Sequence, residues 1–339
     1  MSIGLIGCGA VAEQMHLPAL LKRTDATLAA VVDRSLERRN QLAALSSAKP
    51  FATVEEALSH FDAAIVALPH SLHAPVTITL LKANKHVLVE KPMALNPEQC
   101  DAMLAAARES KGTLTIGHMR RFIPAIRLAR DFLRLGLIGE VTGFDFEEGF
   151  PYSWPVTSDS FFRKESAGGG VLFDMGSHTM DGLLWLLGPA EPISYRDDAH
   201  GGVEADCEAF LRLSSGVKGR VALSRLRNLR NSWLIRGTKG VLEVFPGSSE
   251  LRLQLEGTAP YYTRVGNKDH LVENVFAELF VEQLDDWLGA IKTGRPSACP
   301  AEEGKAVVEL MDRMYRMAKR ETPDWFASPG AIGVKEATR

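Results

Sequence analysis

Four short stretches of this 339-residue sequence carry side chains spaced for chemistry. The first is Gly7-Cys8-Gly9-Ala10-Val11-Ala12. Its two glycines let the backbone approach a pyrophosphate, and the helix that follows offers free N–H groups and a favourable dipole; alanine stands in the third glycine position. Asp33 lies 21 residues beyond Ala12 (33 − 12), where a carboxylate hydrogen-bonds both ribose hydroxyls of a bound dinucleotide. At about 4 Å from a 2′-phosphate that carboxylate would cost about 4 kcal/mol at an effective dielectric of roughly 20. The preference is therefore for NAD, with NADP left open because Arg34 and Arg38 are placed to pair with a phosphate or to stack on adenine.

The second stretch is Glu90-Lys91-Pro92, at the carboxyl end of a strand, the side of a parallel sheet where ligands bind. The Lys91 ammonium can hold a substrate hydroxyl and stabilise an alkoxide; the alternative is a surface salt bridge with Glu90. The third is Asp174 and His178, which share one face of a helix at i and i+4 after Gly168-Gly169-Gly170. There a carboxylate can orient an imidazole and raise its proton affinity, giving a general base that titrates near neutrality, unless the face is simply solvated. The fourth group follows other strand ends: His70 and His73 where a ribose or nicotinamide lies, and His118, Arg120 and Arg121 on the same side. Arg225, Arg227, Arg230 and Arg236 read as sheet-surface charges and receive no role. No metal site is expected, because no further ligand falls at a suitable spacing near His178.

These side chains require a scaffold that brings strand ends together. Ile3–Ile6, Leu28–Val32, Ala63–Leu68, Val87–Val89 and Leu114–Ile116 are short apolar strands alternating with helices, the grammar of a doubly wound parallel sheet buried on both faces. Asn96 and Pro97 mark the start of one of these helices. Beyond a helix at Pro124–Leu135 the pattern becomes period-two runs joined by Gly and Ser turns, an open antiparallel sheet. Helices at Val275–Ile291 and Ala301–Lys319 follow, the last placed to pack back on the first sheet. The expected class is α/β: a Rossmann domain over residues 1–120, then an α+β domain over 121–339 with a large open, mainly antiparallel sheet.

A formal net charge of −3 argues against nucleic acid or an anionic membrane surface as partner. The stretch from Ala63 to Leu81 lacks charge, yet it contains two prolines and two histidines, so no membrane span is expected. Four scattered cysteines and no recognisable leader point to a reducing cytoplasm.

Gly7-Cys8-Gly9, Glu90-Lys91-Pro92, Arg120-Arg121-Phe122, Gly168-Gly169-Gly170 and the Asp174/His178 pair together resemble the Gfo/Idh/MocA family, which includes glucose-fructose oxidoreductase and inositol dehydrogenase. The resemblance spans nearly the whole chain. It implies oxidation or reduction of a sugar, sugar derivative or cyclitol with NAD or NADP, and a catalytic group of Lys91, Asp174 and His178. It also implies use of the open sheet for contacts in a homodimer or homotetramer. The cofactor would lie against Gly7, Gly9, Ala10, Val11, Ala12, Asp33, Arg34, Arg38, Leu68, His70, His73, Glu90, Lys91 and His118. Leu68-Pro69-His70 replaces the family's Thr-Pro-Asn, while His73 matches its usual histidine. Substrate contacts would come from Lys91, Arg120, Asp174 and His178, with Tyr152, Trp154 and Arg163 as further candidates for contact or packing. Two rival functions remain: a redox-neutral, NAD-dependent glycoside hydrolase and a non-catalytic dinucleotide sensor.

Overall fold

The computed structural model describes residues 1–153, 162–199, 202–248, 250–265 and 275–320. Six parallel strands, β1 (Ser2–Ile6), β2 (Thr27–Val32), β3 (Lys49–Phe51), β4 (Ala63–Val66), β5 (His86–Glu90) and β6 (Leu114–Gly117), form one sheet in the order β3-β2-β1-β4-β5-β6. The order reverses between β1 and β4, which opens a crevice at their carboxyl ends, where the Gly7 turn sits. Val, Ile, Leu and Ala keep the central strands buried on both faces, as expected. The edge strand β3 escapes sequence reading because it is three residues long and carries Pro50 at its centre, which an edge tolerates.

The helices around it are α1 (Leu17–Leu21), α2 (Leu36–Ser46), α3 (Val54–Ala57), α4 (His73–Lys82) and α5 (Pro97–Glu109). Ser35 caps α2 by accepting from the Arg38 amide, and Asn96 caps α5 by accepting from the Gln99 amide with Pro97 in the first turn. Ala12–His16 is wound as a π-helical turn that runs directly into α1.

The chain continues through α6 (Pro124–Arg134), β7 (Val141–Gly149), α7 (Lys164–Ala167), α8 (Val171–Leu187), β8 (Ala190–Asp197), β9 (Asp206–Leu213), β10 (Lys218–Ser224), β11 (Ser232–Gly237), β12 (Gly240–Phe245), β13 (Glu250–Leu255) and β14 (Tyr261–Arg264). It ends its described course in α9 (Val275–Thr293), α10 (Ala301–Arg316) and β15 (Lys319–Arg320). The nine strands β7 to β15 make a second sheet, antiparallel except where β7 meets β10 and β8 meets β15. The Ser214-Ser215-Gly216 turn joins β9 to β10, with Gly216 at φ +89°. β7 was not foreseen: its inward positions are Phe144, Phe146 and Glu148, and a buried carboxylate breaks the apolar alternation by which strands are recognised.

α8 lies between the second sheet and the rest of the molecule and is buried on almost every side, Asp181 and Thr179 included. The solvated-face alternative for this helix therefore fails. α9 puts Phe280, Leu284, Trp287 and Leu288 into the core beneath Ile3, Leu5 and Val31 of the parallel sheet. α10 packs on α5 and α8, and the Ile116 amide donates to the Cys299 carbonyl just before it. α10 thus fastens the two sheets together, while α9 covers the opposite face of the parallel one.

Candidate active site

A cavity of about 1230 Å³ runs from the carboxyl ends of β1 and β2 to the start of α8. At one end Gly7 has φ +97°, and a Cβ there would stand 2.3 Å from the Ala67 carbonyl oxygen, so only glycine fits. A Cβ on Gly9 would meet nothing within 4 Å, because that position faces open space. The Asp33 carboxylate accepts from the Cys8 amide (2.8 Å) and the Ser35 amide (2.8 Å), which locks the glycine turn to the end of β2. Ala10, Val11, Arg34 and Arg38 line the same end. Ala12, assigned to the cofactor from sequence, does not: its side chain is fully buried in the π-helical turn. The open cradle at Gly9 beside a fixed carboxylate fits the pyrophosphate and ribose of a dinucleotide.

Midway, Leu68, His70, His73 and Glu90 line the wall. His73 is completely buried, with Nδ1 2.8 Å from the Pro92 carbonyl and Nε2 2.9 Å from the Leu68 carbonyl. Backbone carbonyls face both nitrogens and a neutral ring donates to one of them, so His73 braces the surrounding loops rather than contacting a ligand through these atoms. The Nδ1 of His70 is held by the Ala167 carbonyl at 2.7 Å. Glu90 is buried against His16, with Oε1 2.8 Å from Nε2, and its Oε2 accepts from the Lys91 amide. Burial pushes the Glu90 carboxyl up, but the His16 contact and the nearby positive charges hold it below the usual range.

At the far end Lys91, Asp174 and His178 meet. The Lys91 ammonium donates to Asp174 Oδ1 at 2.8 Å and to the Asp174 carbonyl at 3.1 Å. The other carboxylate oxygen, Oδ2, accepts from the Arg225 guanidinium, which stacks 4.9 Å over the Tyr152 ring. Burial would raise the Asp174 carboxyl, yet Lys91 and Arg225 override it and keep Asp174 ionised well below the ordinary range. This corrects the expectation that Asp174 orients His178, because the Asp174 carboxylate turns to Lys91 and Arg225 and no hydrogen bond joins it to the imidazole, whose Nδ1 has no partner among the described residues. His178 is not made a stronger base either. Burial, with Lys91, Arg120 and His118 nearby, lowers its proton affinity and keeps the imidazole neutral.

Arg120 lines the cavity, donating to Glu148 Oε2 at 2.6 Å, while Glu148 Oε1 accepts from Thr179 and Trp233. Tyr152 also lines it; Arg163 is exposed and lies outside its wall, and Trp154 lies outside the described residues. His118 is likewise absent from the cavity wall. Among the described residues no three His, Cys, Asp or Glu side chains are grouped to hold a metal. Arg225, which lines the cavity and pairs with Asp174, is a residue that sequence reading passed over. It is one of four arginines on turns and strand ends, and nothing local distinguishes it from its neighbours.

The chain matches two family models: over residues 1–118 an oxidoreductase family with an NAD-binding Rossmann fold, and over residues 126–243 the GFO/IDH/MocA C-terminal domain. It is 29% identical to a UDP-N-acetylglucosamine 3-dehydrogenase of Acidithiobacillus ferrooxidans, covering 83% of this chain and 86% of that one. It is 27% identical to the inositol 2-dehydrogenase of Rhizobium meliloti, covering 92% and 95% respectively. Among solved structures it superposes on an aldose-aldose oxidoreductase from Caulobacter crescentus with a TM-score of 0.82 and 26% identity, covering 94% and 97%.

Proposed function

Because the chain belongs to the Gfo/Idh/MocA oxidoreductase family, we propose that it moves a hydride between NAD(P) and a secondary carbinol of a sugar, sugar derivative or cyclitol. The observation that carries this reading is the convergence of Lys91, Asp174 and His178 on the same cavity that opens at the Gly7 turn. Gly7, Gly9, Ala10 and Val11 would hold the pyrophosphate, Asp33 the adenosine ribose, and Leu68 and His70 the middle of the cofactor. NAD(P), when bound, supplies the two-electron acceptor for the carbinol hydrogen. Lys91 positions the reacting hydroxyl and stabilises the negative charge that grows on its oxygen. Neutral His178 takes the hydroxyl proton. Ionised Asp174 holds the Lys91 ammonium in place and has lone pairs left to accept from a second hydroxyl.

The test is nicotinamide absorbance with NAD or NADP against a panel of sugars, sugar acids and cyclitols. Turnover is expected, with NAD favoured by Asp33, and His178→Asn should lose at least about a hundredfold in kcat with cofactor affinity little changed. Cofactor binding without net reduction, together with product released from an aryl glycoside, would replace this reading by redox-neutral hydrolysis.

The outer face of the second sheet carries Arg220 bonded to Asp145, Glu147 and Glu208, beside exposed Phe210 and Ile193. We take this face as the self-association surface of a homodimer or homotetramer, checked by the mass in solution. Cys8, Cys100, Cys207 and Cys299 are buried thiols, which accords with a cytoplasmic location. No described helix is long and apolar enough to cross a membrane.

A further inference from the structure

His118 follows β6 and is sealed in the interior, 1% exposed, with neither ring nitrogen hydrogen-bonded among the described residues. Leaving buried polar groups unpaired costs about 1–3 kcal/mol each, so this imidazole calls for an explanation. On one side its Nδ1 faces Asp181 Oδ2 at 3.8 Å, and Asp181 is fixed by the Arg121 guanidinium, whose Nε donates to both carboxylate oxygens. On the other side the His178 ring stands at 76° to it, with ring centroids 6.4 Å apart. His178 Nδ1 is itself buried without a partner, although the residue lines the cavity. With the ring centroids that far apart, no pair of ring nitrogens comes within the roughly 3 Å of a direct hydrogen bond, so a polar link between the rings needs a bridging water.

We propose that His118 is a positioning residue that sets the tautomer of His178 through a buried water between the two rings, with Asp181 setting the tautomer of His118 in turn. The carboxylate facing Nδ1 favours the proton on that nitrogen, which leaves His118 Nε2 as an acceptor. The water donates to that lone pair and accepts from His178 Nδ1–H. His178 Nε2 then carries the free lone pair that must face the cavity to take a proton from substrate. Asp174 does not do this, because its carboxylate accepts from Lys91 and Arg225 and makes no hydrogen bond to His178. The groups around His118 agree with an uncharged ring: burial lowers it to about 4, with Asp181 and Glu90 opposing and Arg121 and Lys91 adding to the shift.

The catalytic consequence rests on the proposed function, so the primary readout is independent of turnover. In cofactor-free protein labelled with nitrogen-15 histidine, the His178 signals, assigned by their loss in His178→Asn, should report the Nδ1–H tautomer. His118→Phe should shift them toward Nε2–H or a mixture and lower kcat by roughly 10- to 100-fold with substrate KM and cofactor affinity unchanged. His118→Gln, whose amide oxygen can still accept, should restore much of both. An Nε2–H tautomer in the parent overturns the inference, as do a His178 spectrum and a kcat left unchanged by His118→Phe. Should that variant not fold, the parent spectrum and His118→Gln decide. A tautomer that responds in a protein with no turnover on any carbinol would leave this inference standing and defeat the proposed function instead.

Discussion

At the scale of single residues, Asp174 is held between two cations, and its charge is part of the fold as well as of the chemistry. Its carboxyl is depressed in the folded chain, so the stabilisation is present above its unfolded value, near about 3.9, and is lost as pH falls toward the folded value. Asp174→Asn leaves Lys91 and Arg225 without their counter-ion. It should destabilise by about 2 kcal/mol near neutrality, with the deficit shrinking below about pH 4, as read by urea denaturation at both pH values. Lys91, Asp174 and His178 were legible because each sits in a motif or at a helical spacing. The partners that decide their states were not. Arg225 comes from the far end of β10 and His118 comes from the end of β6 to face Asp181, contacts set by tertiary packing that no local pattern encodes.

At the scale of elements, α8 must start in the right place for Asp174 and His178 to reach the cavity. Glu204 fixes that start: its carboxylate accepts from the Gly170 and Leu172 amides and from the Tyr315 hydroxyl, and its carbonyl accepts from the Val171 amide. A Cβ on Gly170 would fall 1.8 Å from the Glu204 carbonyl oxygen, which explains the last glycine of the triplet. Burial raises the Glu204 carboxyl, so this group makes the fold less stable as pH climbs from its unfolded value, about 4.3, through its raised folded one. Glu204→Gln lacks that dependence. Its stability deficit against the parent should therefore be smaller near pH 7 than near pH 4, measured by urea midpoints. The parallel strands other than β3, and the β9–β10 and β11–β12 hairpins, could be read from periodicity and turns, whereas β7 and β8 could not. Glu148 sits in the core of one, and Pro192 accompanies a register shift in the other.

At the scale of the whole molecule, one continuous core joins Ile6, Val66 and Val89 of the first sheet to Leu172, Trp233 and Val244 beneath the second. Trp287, by contrast, packs under the opposite face of the parallel sheet. Variants keeping either Trp233 or Trp287 as sole fluorescent reporter should unfold in urea with coincident midpoints; separated midpoints would show that the two sheets melt independently. The sequence revealed two helices at the end of the chain, but not that α9 completes the core beneath β1. Its apolar face is compatible with either sheet. Phe280 of that helix stacks edge-on against His16 at 4.8 Å and forms part of the cavity wall. Translation therefore reaches the last wall of the dinucleotide cleft long after it has made the glycine turn. At 5–20 residues per second, roughly 10–30 s separate release of the parallel sheet from arrival of Phe280. Throughout that interval the nascent chain carries the fingerprint of a nucleotide binder without a finished place to keep one.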